Sequence, residues 1–126
     1  MAKTPKPTPA ELDLLRVLWR LGPATVKEAH EALRQDRDVA YSAVLRLMQI
    51  MHGKGLLHRD EAQKSHVYSP AQAQDALQTS LLGDLIRKAF AGSGKALVLA
   101  ALNGGHVTAE ERKEIEGILR QDGGGR

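Results

Sequence analysis

The chain has 126 residues, of which 42% are hydrophobic and only 3% aromatic, with a net charge of +3 and no cysteine. This length allows one ordinary domain, or a small domain with an appended assembly segment, around an aliphatic core. The absence of cysteine excludes disulfides, thiolate metal sites and cysteine catalysis. No apolar run approaches the length of a membrane span, and the N-terminus lacks the apolar centre of a signal peptide, so the sequence predicts a soluble, cytoplasmic protein.

Two helix starts open the chain after a short polar segment, 1–7, that is predicted to be frayed. Thr8-Pro9-Ala10-Glu11 has the pattern of a capping box with proline in the first helical position. This helix is predicted to end at Gly22-Pro23. Thr25-Val26-Lys27-Glu28 repeats the capping box and predicts a short second helix through Arg34.

The next stretch, 40–53, is predicted to be the recognition helix of a DNA-binding domain. Its apolar residues Val44, Leu47, Met48 and Met51 fall at i, i+3, i+4 and i+7, which is the spacing of one buried helical face. The opposite face carries Ser42, Arg46 and Gln49, side chains of the types that read base edges in a major groove. Helix, short helix, turn and longer helix together predict a helix-turn-helix core.

The distribution of charged residues along the chain supports this interpretation. Residues 1–70 hold 11 Lys/Arg against 8 Asp/Glu, whereas residues 71–126 hold 7 of each, and the stretch 39–59 contains no carboxylate. The excess positive charge therefore lies in the half that contains the proposed reading helix, as expected for a polyanionic partner.

Two short strands, 56–61 and 64–68, are predicted to follow the recognition helix as a hairpin, although no Asn-Gly or Asp-Gly turn sets their register. A hairpin in this position is a wing, whose tip commonly touches the sugar–phosphate backbone. The predicted backbone contacts are Arg59 and Lys64 on the wing, together with Lys54 and Tyr41. For Tyr41, a place in the core and a hydroxyl on a phosphate remain equally open.

After Pro70 the sequence becomes helical in pattern and richer in apolar surface. We therefore predict a DNA-binding domain over 1–70 and a helical dimerisation domain over 71–126. Helices are expected over 71–91 and 96–102, with a last helix starting at a third capping box, Thr108 to Glu111. These helices carry more apolar surface than one small core can cover, which favours pairing with a second copy. The alternative is an intramolecular cap on the first domain. The predicted interface residues are Leu77, Leu81, Leu85, Leu97, Leu99, Ile115, Ile118 and Leu119.

Several segments, in this order and spacing, resemble the penicillinase-repressor (BlaI/MecI/CopY-type) family. They are Pro9–Trp19, Gly22–Val26, Ala40–Val44, Gly55–Leu57, His66–Pro70 and Thr108–Glu111. The resemblance implies a winged-helix transcriptional repressor, mainly α with a small β-hairpin, dimeric through its C-terminal helices and bound to an inverted-repeat operator. It also gives Ser42, Ala43 and Arg46 the role of reading bases.

The sequence departs from two branches of this family. Without cysteine it cannot sense copper through the C-terminal cysteine cluster of one branch. In the β-lactam-responsive branch, cleavage within the helix matching 96–102 disables the dimer, and here the central pair is Ala100-Ala101 in place of an asparagine–aromatic pair. Proteolytic release by a membrane sensor-protease, and control of β-lactam-resistance or related stress genes, thus remain hypotheses.

Other functional classes have less support. His52, His58 and His66 are close in sequence but lack the paired pattern of a metal site, so neither a metal nor another cofactor is expected. Ser42 has no partnered base nearby in sequence, so the sequence does not predict an enzyme. Two alternatives remain open: a ligand- or metal-sensing winged-helix regulator, and a winged helix that binds only protein.

Overall fold

A computed structural model describes the backbone of residues 6–124 and the side chains of residues 6–121. The elements of this part are α1 (Pro9–Leu21), α2 (Val26–Arg34), α3 (Tyr41–Gly53), β1 (Leu57–Asp60), β2 (Val67–Pro70), α4 (Gln74–Ala89), α5 (Gly94–Asn103) and α6 (Ala109–Gly124). The predicted class, mainly α with a small β-hairpin in a winged helix, is confirmed. Most of the predicted frayed segment 1–7 lies outside the described residues.

The chain divides into two compact units, Met1–Leu81 and Leu82–Arg126. The division falls within α4, later than the predicted boundary after residue 70. The physical reason is that the first turns of α4 belong to the first core: Leu77 is buried in it, and Leu81 packs against it. The apolar side chains in the first turns of α4 therefore complete the core of the first unit.

Local capping sets the helices of the first unit. The Thr8 hydroxyl accepts the amide of Glu11 at 3.2 Å, and the Glu11 carboxylate accepts the amide of Thr8 at 2.9 Å. Thr25 and Glu28 repeat this exchange at 3.2 and 2.8 Å. Both predicted capping boxes are confirmed, and each satisfies two backbone donors that a helix start leaves free.

The core of the first unit is aliphatic, as the composition requires. Its largest fully buried side chains are Leu14, Leu15, Leu18, Val44, Met48 and Met51. The predicted inward stripe of the third helix is thus confirmed at three of its positions, and Leu47 packs against the core from a partly buried position. This packing holds the opposite face of α3 toward solvent.

The hairpin is shifted from its predicted position. β1 and β2 pair antiparallel, with Leu57 opposite Pro70 and Asp60 opposite Val67, so residues 61–66 form a longer connection than expected. A contact from outside the hairpin accompanies this register: the amide of Ala24 donates to the Tyr68 carbonyl at 2.9 Å, and the amide of Tyr68 donates back at 2.8 Å. Tyr68 is consequently buried between the hairpin and the helices.

The second unit exposes much of its apolar surface. No residue of α5 is buried, and Val98, Ile118 and Leu119 are exposed by 52%, 59% and 63%. The third capping box is present, because Thr108 and Glu111 exchange hydrogen bonds at 2.9 and 3.0 Å. Among the described residues, no helix is both long and apolar enough to cross a membrane.

Candidate nucleic-acid interface

The solvent face of α3 carries the predicted base-reading residues. Ser42, Ala43, Arg46 and Gln49 are all exposed. Positions 42, 46 and 49 are separated by one and two helical turns, so they share one face. Within the part of the chain that the structure describes, the Arg46 guanidinium makes no salt bridge. This face therefore presents a hydroxyl, a methyl, an amide and an unpaired cation.

The start of α3 differs from the starts of α1 and α2. Its N-cap residue, Ala40, offers no side-chain acceptor, and its first turn contains no acidic residue. Amide donors at a helix start that lack a side-chain cap attract anions. The next residue, Tyr41, is 47% exposed, so it lies outside the core.

His30 of α2 holds the segment that enters α3. Its Nε2 lies 2.7 Å from the carbonyl oxygen of Val39, at hydrogen-bond distance. Its ring also meets the ring of Tyr41 edge-on, with centroids 5.6 Å apart. The second helix thus positions the recognition helix at the point where it begins.

A groove of about 300 Å³ runs between α3 and the hairpin. Its lining includes the start of α2, the exposed side of α3 and the second half of the hairpin, and it contains no carboxylate: Thr25, Val26, Lys27, Tyr41, Leu45, Gln49, Arg59, Lys64, Ser65, His66 and Tyr68. Four predicted residues, Tyr41, Gln49, Arg59 and Lys64, therefore share one concave surface. Three full cations in a groove without acids make it attractive to a polyanion.

Lys54 is placed differently from the other predicted backbone contacts. Its Nζ lies 2.9 and 3.0 Å from the two carboxylate oxygens of Glu11. Glu11 is 2% exposed, whereas the Lys54 side chain retains about a third of its exposure. The pairing gives Lys54 a structural role that the sequence did not indicate, because it compensates a buried carboxylate in the first turn of α1.

This ion pair shifts the Glu11 carboxyl. Burial opposes ionisation, but the hydrogen bonds from Lys54 and from the Thr8 amide, together with the Lys54 charge, outweigh it and lower the Glu11 pKa from its ordinary value of 4.5. Glu11 is therefore ionised at neutral pH, and Lys54 is committed to it.

The wing arginine is paired as well. Arg59 Nε donates to Oε2 of Glu61 at 2.7 Å, and Nη2 lies 2.6 Å from the same oxygen. The hydrogen bond from Arg59, and then its charge, lower the pKa of Glu61. Hydrogen bonding to Tyr68 and to Glu61 raises the pKa of Arg59. The pair lies at the edge of the groove.

Comparison with known protein families assigns the chain to one of them. The family model of the penicillinase repressor matches residues 7–121, nearly the whole chain. The chain belongs to the penicillinase repressor family. Accordingly it is a DNA-binding transcriptional regulator and not an enzyme.

Members of the penicillinase repressor family with curated descriptions support this assignment. The chain is 33% identical over 123 residues to "Transcriptional regulator BlaI" from each of two strains of Mycobacterium tuberculosis, covering 96% of this chain and 88% of the relative. Its fold is similar to that in a solution structure of the Bacillus licheniformis BlaI monomeric form in complex with the blaP half-operator. That likeness has a TM-score of 0.51 and 21% identity, and it covers 60% of this chain and 92% of the other.

Several polar groove residues of this chain were not predicted from the sequence, among them Thr25, Lys27 and His66. Thr25 and Lys27 begin α2, and His66 lies at the end of the wing connection. A signal for Lys27 was present: it is a cation in the first turn of α2, the first helix of the helix-turn-helix, and this is the helix that crosses the DNA backbone. His66 gave no such signal, because only the fold brings the wing beside α3.

The histidines form no metal centre in the residues described. No group of three metal-binding side chains converges there. His52 instead meets Tyr68 edge-on, with ring centroids 6.4 Å apart. Its position is explained by packing at the end of α3.

Proposed function

We propose that this chain is a repressor that binds an inverted-repeat operator as a homodimer, with one α3 in the major groove of each half-site. The observation that carries the proposal is the exposed, carboxylate-free face of α3 beside a cationic groove. A two-fold protein on a two-fold operator would place equivalent residues on equivalent bases.

Base reading is assigned to Ser42, Ala43, Arg46 and Gln49. The Arg46 guanidinium is the strongest reader in this set, because it can donate two parallel hydrogen bonds to O6 and N7 of guanine. Its exposure and its freedom from the described ion pairs support the assignment. The amide of Gln49 is suited to adenine, and the Ala43 methyl to the methyl of thymine.

Backbone contact is assigned to Tyr41, Lys64 and Lys27, with Arg59 as a further candidate whose guanidinium is paired with Glu61. Each lines the groove between α3 and the wing. Phosphate contacts fix the orientation of the protein on the duplex but carry no sequence information. Lys54 is omitted, because the buried Glu11 carboxylate already holds its ammonium.

Dimerisation is assigned to the apolar surface of the second unit. The residues that support it are Leu85, Leu97, Leu99, Ile115, Ile118 and Leu119. Leu97 is partly buried, and the other five are exposed by 37% to 63%. Large exposed apolar surface on a small unit marks an association site. Leu77 and Leu81 are omitted from the interface, because they pack in the core of the first unit.

Release from DNA is assigned to loss of this dimer. A cut at Ala100-Ala101 in α5 would separate Ile115, Ile118 and Leu119 from the DNA-binding unit. Both alanines lie in a helix with no buried residue. A membrane sensor-protease is the proposed trigger, and β-lactam-resistance or related stress genes are the proposed targets in the cytoplasm; both rest on the family.

Two substitutions, Arg46→Ala and Lys64→Ala, can separate base reading from contact with the DNA backbone. Arg46→Ala should cost about 1–3 kcal/mol per half-site and relax the preference at one symmetric base position. Lys64→Ala should weaken all sequences alike and lower the salt slope by about 1 per protomer. Affinities for the operator, selected from a random DNA pool, and for a scrambled duplex are measured at two salt concentrations. An unchanged operator-to-scrambled ratio in Arg46→Ala would remove Arg46 from the readers.

The dimer can be tested by placing one charge on or beside the proposed seam. Leu119→Glu would bury a carboxylate against apolar surface at a cost of several kcal/mol, so the chain should sediment as a monomer at micromolar concentration. Gln121→Glu adds the same charge to the same exposed helix without removing apolar surface, and should remain dimeric. Equal sedimentation of the two variants would place the interface elsewhere.

A further inference from the structure

The wing carries one acidic side chain that the proposed function leaves unexplained. Glu61 is 53% exposed and stands at the wing connection, directly after β1 and next to a groove whose lining has no carboxylate. A carboxylate in this position would repel the phosphates that the groove cations would attract.

A role in shaping the turn does not explain Glu61. The turn that follows β1 is held by the neighbouring residue: the Asp60 carboxylate accepts the amide of Ala62 at 2.9 Å. Glu61 instead engages Arg59, through both Nε and Nη2, at 2.7 and 2.6 Å. The guanidinium has two edges that can make a bidentate contact with a phosphate, and Glu61 occupies the one formed by Nε and Nη2.

We propose that Glu61 holds Arg59 away from DNA phosphate and so limits the affinity of the protein for DNA of any sequence. This inference rests on the proposed function, since it assumes that the wing lies against the DNA backbone. The benefit is that weaker non-specific binding leaves a smaller fraction of the repressor on the many competing sites of a chromosome. Arg59 would then contact a phosphate only when its ion pair with Glu61 is broken.

The magnitude follows from counterion release. Freeing Arg59 to neutralise one more phosphate per protomer should raise the salt slope by about 0.9, which corresponds to about fivefold tighter binding per protomer near 0.15 M salt. Because phosphates are the same in every sequence, operator and scrambled DNA should both gain. The ratio between them should stay constant.

The experiment uses the full chain with Glu61→Gln, Arg59→Ala, the double variant and a control, Glu31→Gln. Glu31 is an exposed residue of α2 outside the groove lining, so its replacement makes the same change in net charge. Affinities for a scrambled duplex and for the selected operator are measured over a range of salt concentrations. Glu61→Gln should bind both duplexes about fivefold more tightly per protomer with a steeper slope, and Glu31→Gln should resemble the wild type.

The double variant distinguishes restraint of Arg59 by Glu61 from direct repulsion between Glu61 and the DNA phosphates. If Glu61 restrains Arg59, then Arg59→Ala should weaken binding little in the wild-type background and severalfold more in the Glu61→Gln background. An equal loss in both backgrounds would overturn the proposal, as would a Glu61→Gln protein that binds no more tightly than Glu31→Gln. A wild-type chain that fails to bind any duplex would instead refute the proposed function itself.

Discussion

The pairing of Glu11 with Lys54 makes a testable statement about stability. Glu11→Gln keeps the size of the side chain and an oxygen acceptor for the Thr8 amide, but it removes the charge that both Lys54 contacts use. Hydrogen bonds between charged groups are worth about 1.5–3 kcal/mol each, and loss of one partner of a fully buried pair costs about 3–5 kcal/mol. Because Lys54 keeps a third of its exposure and can turn to water, we expect the lower figure, about 1.5–3 kcal/mol.

A matched control exists in the same unit. Glu28 occupies the same place in the second capping box, bonded to Thr25 at 2.8 Å, but it is exposed and has no lysine partner among residues 6–121. Glu28→Gln should therefore change the free energy of unfolding by no more than about 0.5 kcal/mol. The two substitutions are chemically identical, so their difference isolates the buried ion pair.

The assay is urea unfolding of the full chain at fixed protomer concentration, followed by the fluorescence of Trp19. This is the single tryptophan, and its indole donates to the Gln72 carbonyl at 3.1 Å, so its emission reports on the first unit. For a slope near 1.5 kcal/mol per M, Glu11→Gln should lower the midpoint by roughly 1–2 M. Equal midpoints for the two variants would refute the reasoning.

Acid provides an independent check on the same pair. The Glu11 pKa is lower in the folded chain than its ordinary value of 4.5, so the stability that its charge contributes is present above about that pH. It is lost as the pH falls through the lower folded value, when the carboxylate is protonated. The difference in stability between wild type and Glu11→Gln should therefore shrink between pH 7 and pH 3. A constant difference would mean that the charge of Glu11 is not what stabilises the fold.

Three further predictions concern the frame around the recognition helix and its ligands. Gly22→Ala should cost about 1–3 kcal/mol, since Gly22 has φ +84°, whereas Gly53→Ala, with open space and no such φ, should be near neutral in the same urea assay. His30→Ala should remove about 1 kcal/mol of stability and weaken operator binding, because the Val39 carbonyl loses its partner; unchanged binding in a duplex titration would show that His30 does not position α3. Chelators, copper and zinc should leave operator affinity unchanged at constant ionic strength, and a metal-dependent shift would contradict the sequence-based expectation.

The sequence by itself determined the features that depend on short-range chemistry. Each capping box is complete within four consecutive residues, such as Thr25 to Glu28, and the stripe of Val44, Met48 and Met51 follows from helical periodicity alone. These signals place the helix boundaries and the exposed face of α3 without any tertiary contact. The candidate reading face was therefore predictable residue by residue.

Only the tertiary structure decided what joins residues far apart in the chain. Lys54 meets Glu11 across 43 positions, and Ala24 pairs with Tyr68 only because α1, α2 and the hairpin share one core. The strand register was missed for the same reason: no turn residues specify it, so contacts from outside the hairpin settle it. Likewise, the apolar period of α4 could not show that Leu77 faces the first core. An amphipathic pattern states that a face is buried, and only packing determines what buries it.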